Sequence, residues 1–522
     1  MTSTAVIDPP ARTWSWAQRR TVIVSCLAVT LVIAAMAALY TALAQISIAT
    51  GATQTQATWI VDGYTLALAC LVLPAGALGD RYGRRRMMIT GLVVFAAASM
   101  IPVTTTAVAW LIGARVLTGI GAALVMPSTL SMLTAAFAPG PSDRAVGLWA
   151  GAAGSGGLIG LVGSGLVLQW YSWQSIFAGM AVGAVLLAAA GFTLAESRST
   201  GETGLDPLGT VTGVAAIALL VWALITVAER GWGDRYVLAG LIGAALAGAL
   251  FVAVELRAHK PLLDLRLFAR RGFGCGTVSI TVQFLTTFGL FLIVVQYLQL
   301  ILEYSPLRAA VAVLPMGVAV TGLSLLSPLL TARYGLRLPT AAGLTIVAAG
   351  LALMARVTPD SGYPGVLMPL FIMSVGLGLA SAPATTAIMS GTDADMHSIA
   401  AAVNDAAREI GAAIGIAVAG TVLATGYRTR ITPVLDRLPE PARAPVSHSL
   451  AATTQLAEHT GPQAQPLLDL ARTAFLHGLH NTSYTLAAIS LAAAAILGIW
   501  APGRSATRAP KTPARPTTPP SD

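Results

Sequence analysis

Charge is what this chain has least of. Only 10% of its 522 residues are Asp, Glu, Lys or Arg, where a soluble domain carries about 25%. That shortage excludes a water-soluble globular protein and points to a chain that lives in hydrocarbon. Lysine is almost missing, with Lys260 and Lys511 the only two, so the basic excess is arginine. A formal net charge of +9 would suit a nucleic-acid binder. The arginines, however, sit in short loops and tails, where they suit a membrane surface, and no nucleic-acid partner is expected. The three cysteines, Cys26, Cys70 and Cys275, lie in apolar runs with neither metal spacing nor a disulfide partner, and read as small buried hydrophobes. His448, His459, His477 and His480 cluster in one segment, but no acid or cysteine completes a metal set, and a solvated surface explains them. Nucleotide-binding loop, catalytic triad and metal motif are all lacking. Neither an enzyme nor a cofactor is expected.

Apolar runs are what the chain has in quantity. A span takes about 20 apolar residues at 1.5 Å each. That ruler predicts an all-α polytopic membrane protein of fourteen transmembrane helices, the first six at roughly 21–49, 59–79, 87–105, 107–134, 145–168 and 175–195. Two more follow at 207–228 and 236–254, then six at 274–300, 307–330, 339–356, 364–389, 399–424 and 482–501. The organisation expected is an N-terminus (1–20), a six-helix half (21–200), two inserted helices (201–256), a second six-helix half (257–501) and a tail (502–522). The tail is rich in proline and reads as disordered. A long external loop, 427–481, contains Leu467, Leu468, Leu470, Phe475 and Leu479 at helical spacing, which predicts one external helix lying on the surface.

Basic residues orient the chain. Twenty of the 31 arginines and lysines fall in loops and tails assigned to the cytoplasm and nine on the other side. Both termini are therefore expected inside, in the cytoplasmic membrane. The densest cluster is the run Gly76-Ala77-Leu78-Gly79-Asp80-Arg81-Tyr82-Gly83-Arg84-Arg85-Arg86 between spans two and three. Gly79 and Gly83 permit a tight turn, Asp80 is positioned to face a helix N-terminus, and the arginines suit neighbouring loops and lipid phosphates. Asp80-Arg81-Tyr82-Gly83-Arg84-Arg85 recurs weakly as Ala332-Arg333-Tyr334-Gly335-Leu336-Arg337 after span ten. A repeat of this kind suits two related halves with a substrate site between them.

The run from Gly76 to Arg86 resembles the signature between helices two and three of the major facilitator superfamily. Trp59-Ile60-Val61-Asp62-Gly63-Tyr64 in span two and Leu111-Ile112-Gly113-Ala114-Arg115-Val116-Leu117-Thr118-Gly119 in span four resemble that family too. So do Pro261 to Phe268, Tyr304 to Ala309, and Ala401 to Gly411. Together they look like the fourteen-span drug:proton antiporters of the quaternary-ammonium efflux type. The resemblance implies a major facilitator fold, a cytoplasmic gate built on Gly76, Gly79, Asp80, Arg81, Gly83, Arg84 and Arg85, and a proton-coupling role for Arg115. Two departures stand out. The span-five antiporter motif lacks its proline, reading Gly160-Leu161-Val162-Gly163-Ser164-Gly165, and close packing is left to Gly147, Gly151, Gly154, Gly157, Gly160, Gly163 and Gly165. Span one carries no acid, and Tyr40 stands where the family places an Asp.

Ionisable groups inside a membrane are functional candidates by default. Asp62 lies three residues into span two and is expected in an outer vestibule; Glu303 lies at the outer end of span nine. Asp405 and Glu409 share one face of span thirteen, with Glu409 near the midplane and Arg408 beside them. A carboxyl balanced between burial and a nearby guanidinium can exchange its proton for a cation. Glu409 and Asp405 are thus the leading coupling acids; the bland alternative is an intrahelical Asp405–Arg408 ion pair. Trp59, Tyr64, Trp149, Phe288 and Tyr297 are candidates for stacking on a flat cation. The chain is expected to be a monomer that exchanges protons for lipophilic, cationic compounds and contacts membrane lipids. Rival readings are an exporter dedicated to one natural product or lipid, and a non-transporting sensor or scaffold.

Overall fold

A computed structural model describes residues 14–137, 143–198, 206–258, 261, 263–390, 397–435, 438 and 440–503. The expected disordered tail lies almost wholly outside the described residues. Helices α1 (Trp16–Thr50), α2 (Gln54–Tyr82), α3 (Arg84–Thr104), α4 (Val108–Phe137), α5 (Asp143–Val167) and α6 (Gln174–Gly191) form the first half. Next come α7 (Pro207–Arg230) and α8 (Arg235–Arg257), then α9 (Arg271–Leu300), α10 (Pro306–Tyr334), α11 (Arg337–Met354), α12 (Gly362–Ser390) and α13 (His397–Leu435). Two short helices, α14 (Glu440–His448) and α15 (Leu450–Thr460), precede α16 (Gln465–Trp500). Fourteen of these helices are long and apolar enough to cross a membrane.

The internal repeat is visible in the packing. In the first half α1 packs on α5, α3 on α4 and α6, and α2 on α4; in the second, α9 packs on α13, α11 on α12 and α16, and α10 on α12. Two crossings are made by glycine pairs, because a Cβ on Gly91 or Gly343 would strike the backbone of Gly121 or Gly376. The halves meet along α2–α13 and α5–α10, and α7 lies over the first of these seams. There Thr421 donates to the Leu224 carbonyl at 2.6 Å and Arg428 to the Ala228 carbonyl at 2.7 Å.

The long loop departs from expectation. Its C-terminal part is no separate surface helix: residues 465–479 are the first turns of α16, continuous with the last span. Leu468, Phe475 and Leu479 are buried against the main core, so the apolar periodicity marks packing on helices and not on lipid headgroups. His480 is tied to the Val357 carbonyl at 2.7 Å and so is not simply solvated. Lengthening the span this way turns the polar-looking segment into the end of the bundle opposite the arginine-rich run.

Candidate functional site

Helices α1, α2 and α4 of the first half meet around one guanidinium. Small residues set the approach: Gly119 leaves no room for a Cβ against the Tyr64 carbonyl, and a Cβ on Gly63 would lie 3.3 Å from Val116. Arg115 of α4 is thereby laid on α2, with its Cζ 4.3 Å from the centroid of the Tyr64 ring. Its Nε donates to the Ile60 carbonyl at 3.1 Å, while Nη2 is buried without a partner. The Tyr64 hydroxyl donates to the Val32 carbonyl on α1 at 2.8 Å, so the ring that stacks on Arg115 is itself anchored.

Three more polar groups share this region. Tyr40 of α1 is within Coulombic range of Asp62, Arg115 and Glu409, and Tyr64 of Arg115 and Glu409. Asp62 is 0% exposed with both carboxylate oxygens unpartnered, and Glu409 is 4% exposed with Oε2 unpartnered. The Tyr40 hydroxyl is likewise buried and unpartnered. The outer-vestibule placement of Asp62 is corrected here. Helix α2 begins at Gln54, five residues earlier than the expected span, so Asp62 lies about 12 Å inside it. The tyrosine standing at the family's span-one Asp position does reach the cluster. Buried carboxylates with no hydrogen bond are costly, which makes this the part of the bundle with the strongest demand for a proton or a cation.

One turn from Glu409 on α13, Asp405 and Arg408 are half-buried. Among the described residues they form no ion pair within 4.0 Å, so the intrahelical-pair alternative does not hold. Arg408 instead places its Cζ 5.3 Å from the Phe284 ring centroid, with its Nε buried and unpartnered. Phe284 begins an aromatic ladder on one face of α9. Phe284 and Phe288 stack at 5.8 Å, Phe288 and Phe291 meet edge-on at 6.1 Å, and Phe291 lies 5.9 Å from Tyr40. Phe288 was legible as a stacking candidate; Phe284 and Phe291 were not, although spacings of four and three residues carry the signal. Tyr64, Trp149 and Tyr297 are otherwise engaged: Tyr64 holds Arg115, Trp149 donates to Thr129 and Tyr297 to the Thr358 carbonyl.

At the arginine-rich end, Asp80 does not face a helix N-terminus. It pairs with Arg84 one turn on, at 2.7 Å, and Arg84 also donates to the Ser131 carbonyl on α4 at 3.2 Å. The N-terminal amides of α3 are met instead by Glu196, just beyond α6, which accepts from the Arg85 amide at 3.0 Å. Glu196 was missed; an acid directly following span six, within reach of four arginines, was the available signal. The Arg85 guanidinium donates to the Leu194 carbonyl at 2.9 Å. Arg337 repeats that bond in the second half, donating to the Ala501 carbonyl at 2.8 Å. Gly83, at φ 110°, caps α2 against the Glu196 carboxylate, and a Cβ there would lie 2.8 Å from its Cδ. Gly76 and Gly79 face Pro127 and Ser128 of α4 at ordinary contact distance, and Arg81 is exposed beside Tyr82.

One further expectation is revised, and Glu303 stays at the end of span nine. On α5, Gly147, Gly151, Gly154 and Gly163 have nothing within 4 Å of an added Cβ, and Gly157 touches only the tip of Ile33. Close packing rests on Gly156 and Gly160 against α1, four residues apart on one face, and on Gly165 against Leu307 of α10. Glu303 stands apart from the buried cluster, in the turn after α9 at φ 54°, where its exposed carboxylate pairs with Arg472 at 2.5 Å.

The family pattern described as Major Facilitator Superfamily matches residues 25–416. The chain is 31% identical over 448 residues to the multidrug efflux pump LfrA of Mycolicibacterium smegmatis, covering 84% of this chain and 88% of that one. It is 33% identical to the methyl viologen resistance protein SmvA of Salmonella typhimurium, covering 88% and 93%. It is 31% identical to the tetracenomycin C resistance and export protein of Streptomyces glaucescens, covering 84% and 83%. Among solved structures, a bacterial homolog of the human lysosomal transporter Spinster superposes with TM-score 0.65 at 15% identity, over 93% of this chain and 98% of that one.

Proposed function

Because the chain belongs to the Major Facilitator Superfamily and is a transporter, not an enzyme, we propose that it expels lipophilic, cationic drugs or toxic compounds in exchange for protons. The observation that carries this reading is the pair of unpartnered buried carboxylates, Asp62 from one half and Glu409 from the other, which both lie within Coulombic range of Tyr40. Alternating access moves the halves against each other, so groups contributed by both are the ones whose charge can bias the motion. Protonated, the acids are tolerated in the closed bundle; deprotonated, they need a cation. Proton and cationic substrate then compete for one site, which is the elementary step of antiport. Names of relatives agree with this: one confers methyl viologen resistance and one is a multidrug efflux pump.

The end carrying Arg81 to Arg86 is the cytoplasmic one on the positive-inside rule. Contacts between the halves gather toward the opposite end, as in the Gln299 donation to the Thr41 carbonyl at 2.9 Å and the meeting of Gly165 with Leu307. On that orientation the conformation is inward-facing, open to substrate from the cytoplasm or inner leaflet. The uncharged aromatic ladder, together with the relative named for tetracenomycin C export, favours a second reading, a flat neutral natural product as cargo.

Ethidium transport into inverted membrane vesicles under an imposed pH gradient tests the proposal. Gradient-dependent uptake that is lost in Glu409→Gln or Asp62→Asn is the expected result. Uptake that ignores the gradient removes proton coupling. A wild-type protein that moves neutral polycyclic aromatics but no ethidium establishes the second reading in its place.

A further inference from the structure

From the placement of Arg408 we infer that its guanidinium is a tethered stand-in for the substrate cation, occupying the lowest rung of the aromatic ladder until a cationic substrate displaces it. This rests on the cation-export reading and names its first binding subsite, the face of Phe284.

Three observations carry the inference. An arginine one turn from Asp405 on its own helix would ordinarily pair with it, since a guanidinium–carboxylate fork is the strongest contact open to it. Arg408 does not: among the described residues it forms no ion pair, and its Cζ lies 5.3 Å from the Phe284 centroid. Second, it is weakly held. Its Nε is buried with no hydrogen-bond partner, in contrast to Arg115, whose Nε donates to a backbone carbonyl while its Cζ lies closer to its ring, at 4.3 Å. Third, the ring under Arg408 is the first member of a continuous series, Phe284, Phe288, Phe291 and Tyr40, that leads to Asp62 and Glu409.

A flat cation entering along α9 therefore meets a π-face already holding a positive charge. To stack there it must move the guanidinium aside, and Asp405 is the acid one turn away that receives it. The device keeps Phe284 covered in the empty protein, and it sets a threshold: only cations that stack better than a guanidinium advance up the ladder. Arg408 is thus a specificity-determining residue, distinct in role from Arg115, which is locked in place.

Binding of ethidium, a flat cation, to the purified full-length protein in lipid nanodiscs, measured by calorimetry, tests this. Arg408→Lys keeps the charge but replaces the guanidinium with a more strongly hydrated ammonium that leaves the ring more easily, and is expected to tighten binding about threefold. Arg408→Gln is expected to tighten it about tenfold. Both gains should vanish in a Phe284→Ala background, because displacement requires the ring. A gain for Arg408→Gln that persists without Phe284, with none for Arg408→Lys, means that Arg408 acts only through its field, and overturns the inference. If wild type binds the probe and neither variant changes affinity, the inference fails and cation export stands. If no variant binds any cation, both fall together.

Discussion

Arg115 lies 4.3 Å from the ring centroid of Tyr64, on a helix crossing kept close by Gly119, and the same ring is fixed to α1 through the Val32 carbonyl. The cation at the centre of the bundle is therefore held by a ring and a backbone carbonyl and not by an acid. That leaves Asp62 and Glu409 without a committed counter-ion, available to a proton or a substrate.

Replacing Arg115 by Lys should abolish most transport although the charge is kept. An ammonium cannot stack flat on Tyr64 while its stem reaches the Ile60 carbonyl, and a loss of about tenfold or more in ethidium uptake is expected. Vesicle uptake of Arg115→Lys against wild type at equal expression checks it. Tyr64→Phe keeps the ring and loses one hydrogen bond, costing about 1 kcal/mol of stability and little activity.

Asp62→Asn and Glu409→Gln should differ from Asp405→Asn. The first two remove unpartnered, fully buried acids and are expected to uncouple uptake from the pH gradient. Asp405 is half-buried and lies toward the arginine-rich end, so its loss should raise the substrate concentration for half-maximal rate while leaving gradient dependence. Proton release on adding ethidium to protein in weakly buffered detergent separates the cases.

Gly83→Ala should cripple the protein. The position needs φ 110° and has a carboxylate where the Cβ would go, a strain of about 1–3 kcal/mol before the clash is counted. Adding Glu196→Ala removes the clash but not the backbone strain, so rescue should be partial at most. Thermal melting in detergent reads both terms.

Within α5, Gly160→Leu should disrupt the α1–α5 contact and lower expression, whereas Gly154→Leu and Gly163→Leu should be tolerated, because a Cβ added at either meets nothing within 4 Å. A glycine-by-glycine scan of folded yield checks this.

Glu303→Gln should change little. Its pair with Arg472 is solvent-exposed on the carboxylate side, and such pairs are worth about 0–1 kcal/mol. Uptake at high and low salt should be alike in variant and wild type.

Hydrophobic length, arginine placement and the repeated Arg-Tyr-Gly turn determined by themselves the helix number, the two-half plan and the identity of the charged residues. Those features follow from chain-local physics: a span needs a fixed apolar length, and a charge in hydrocarbon needs a reason. Tertiary structure decided where each charge ends. Asp62 moved from an expected vestibule to a sealed core because α2 starts five residues early and is covered by α13. Residues 465–479 became part of a span because their apolar face found helices to pack on, which periodicity cannot distinguish from a lipid surface. The partner of Arg85 was Glu196, more than a hundred residues away, and the partner of Arg408 was a ring on another helix. Sequence names the groups that are costly to bury; only the packing of distant helices says which of them are left uncompensated, and that is where transport is to be sought.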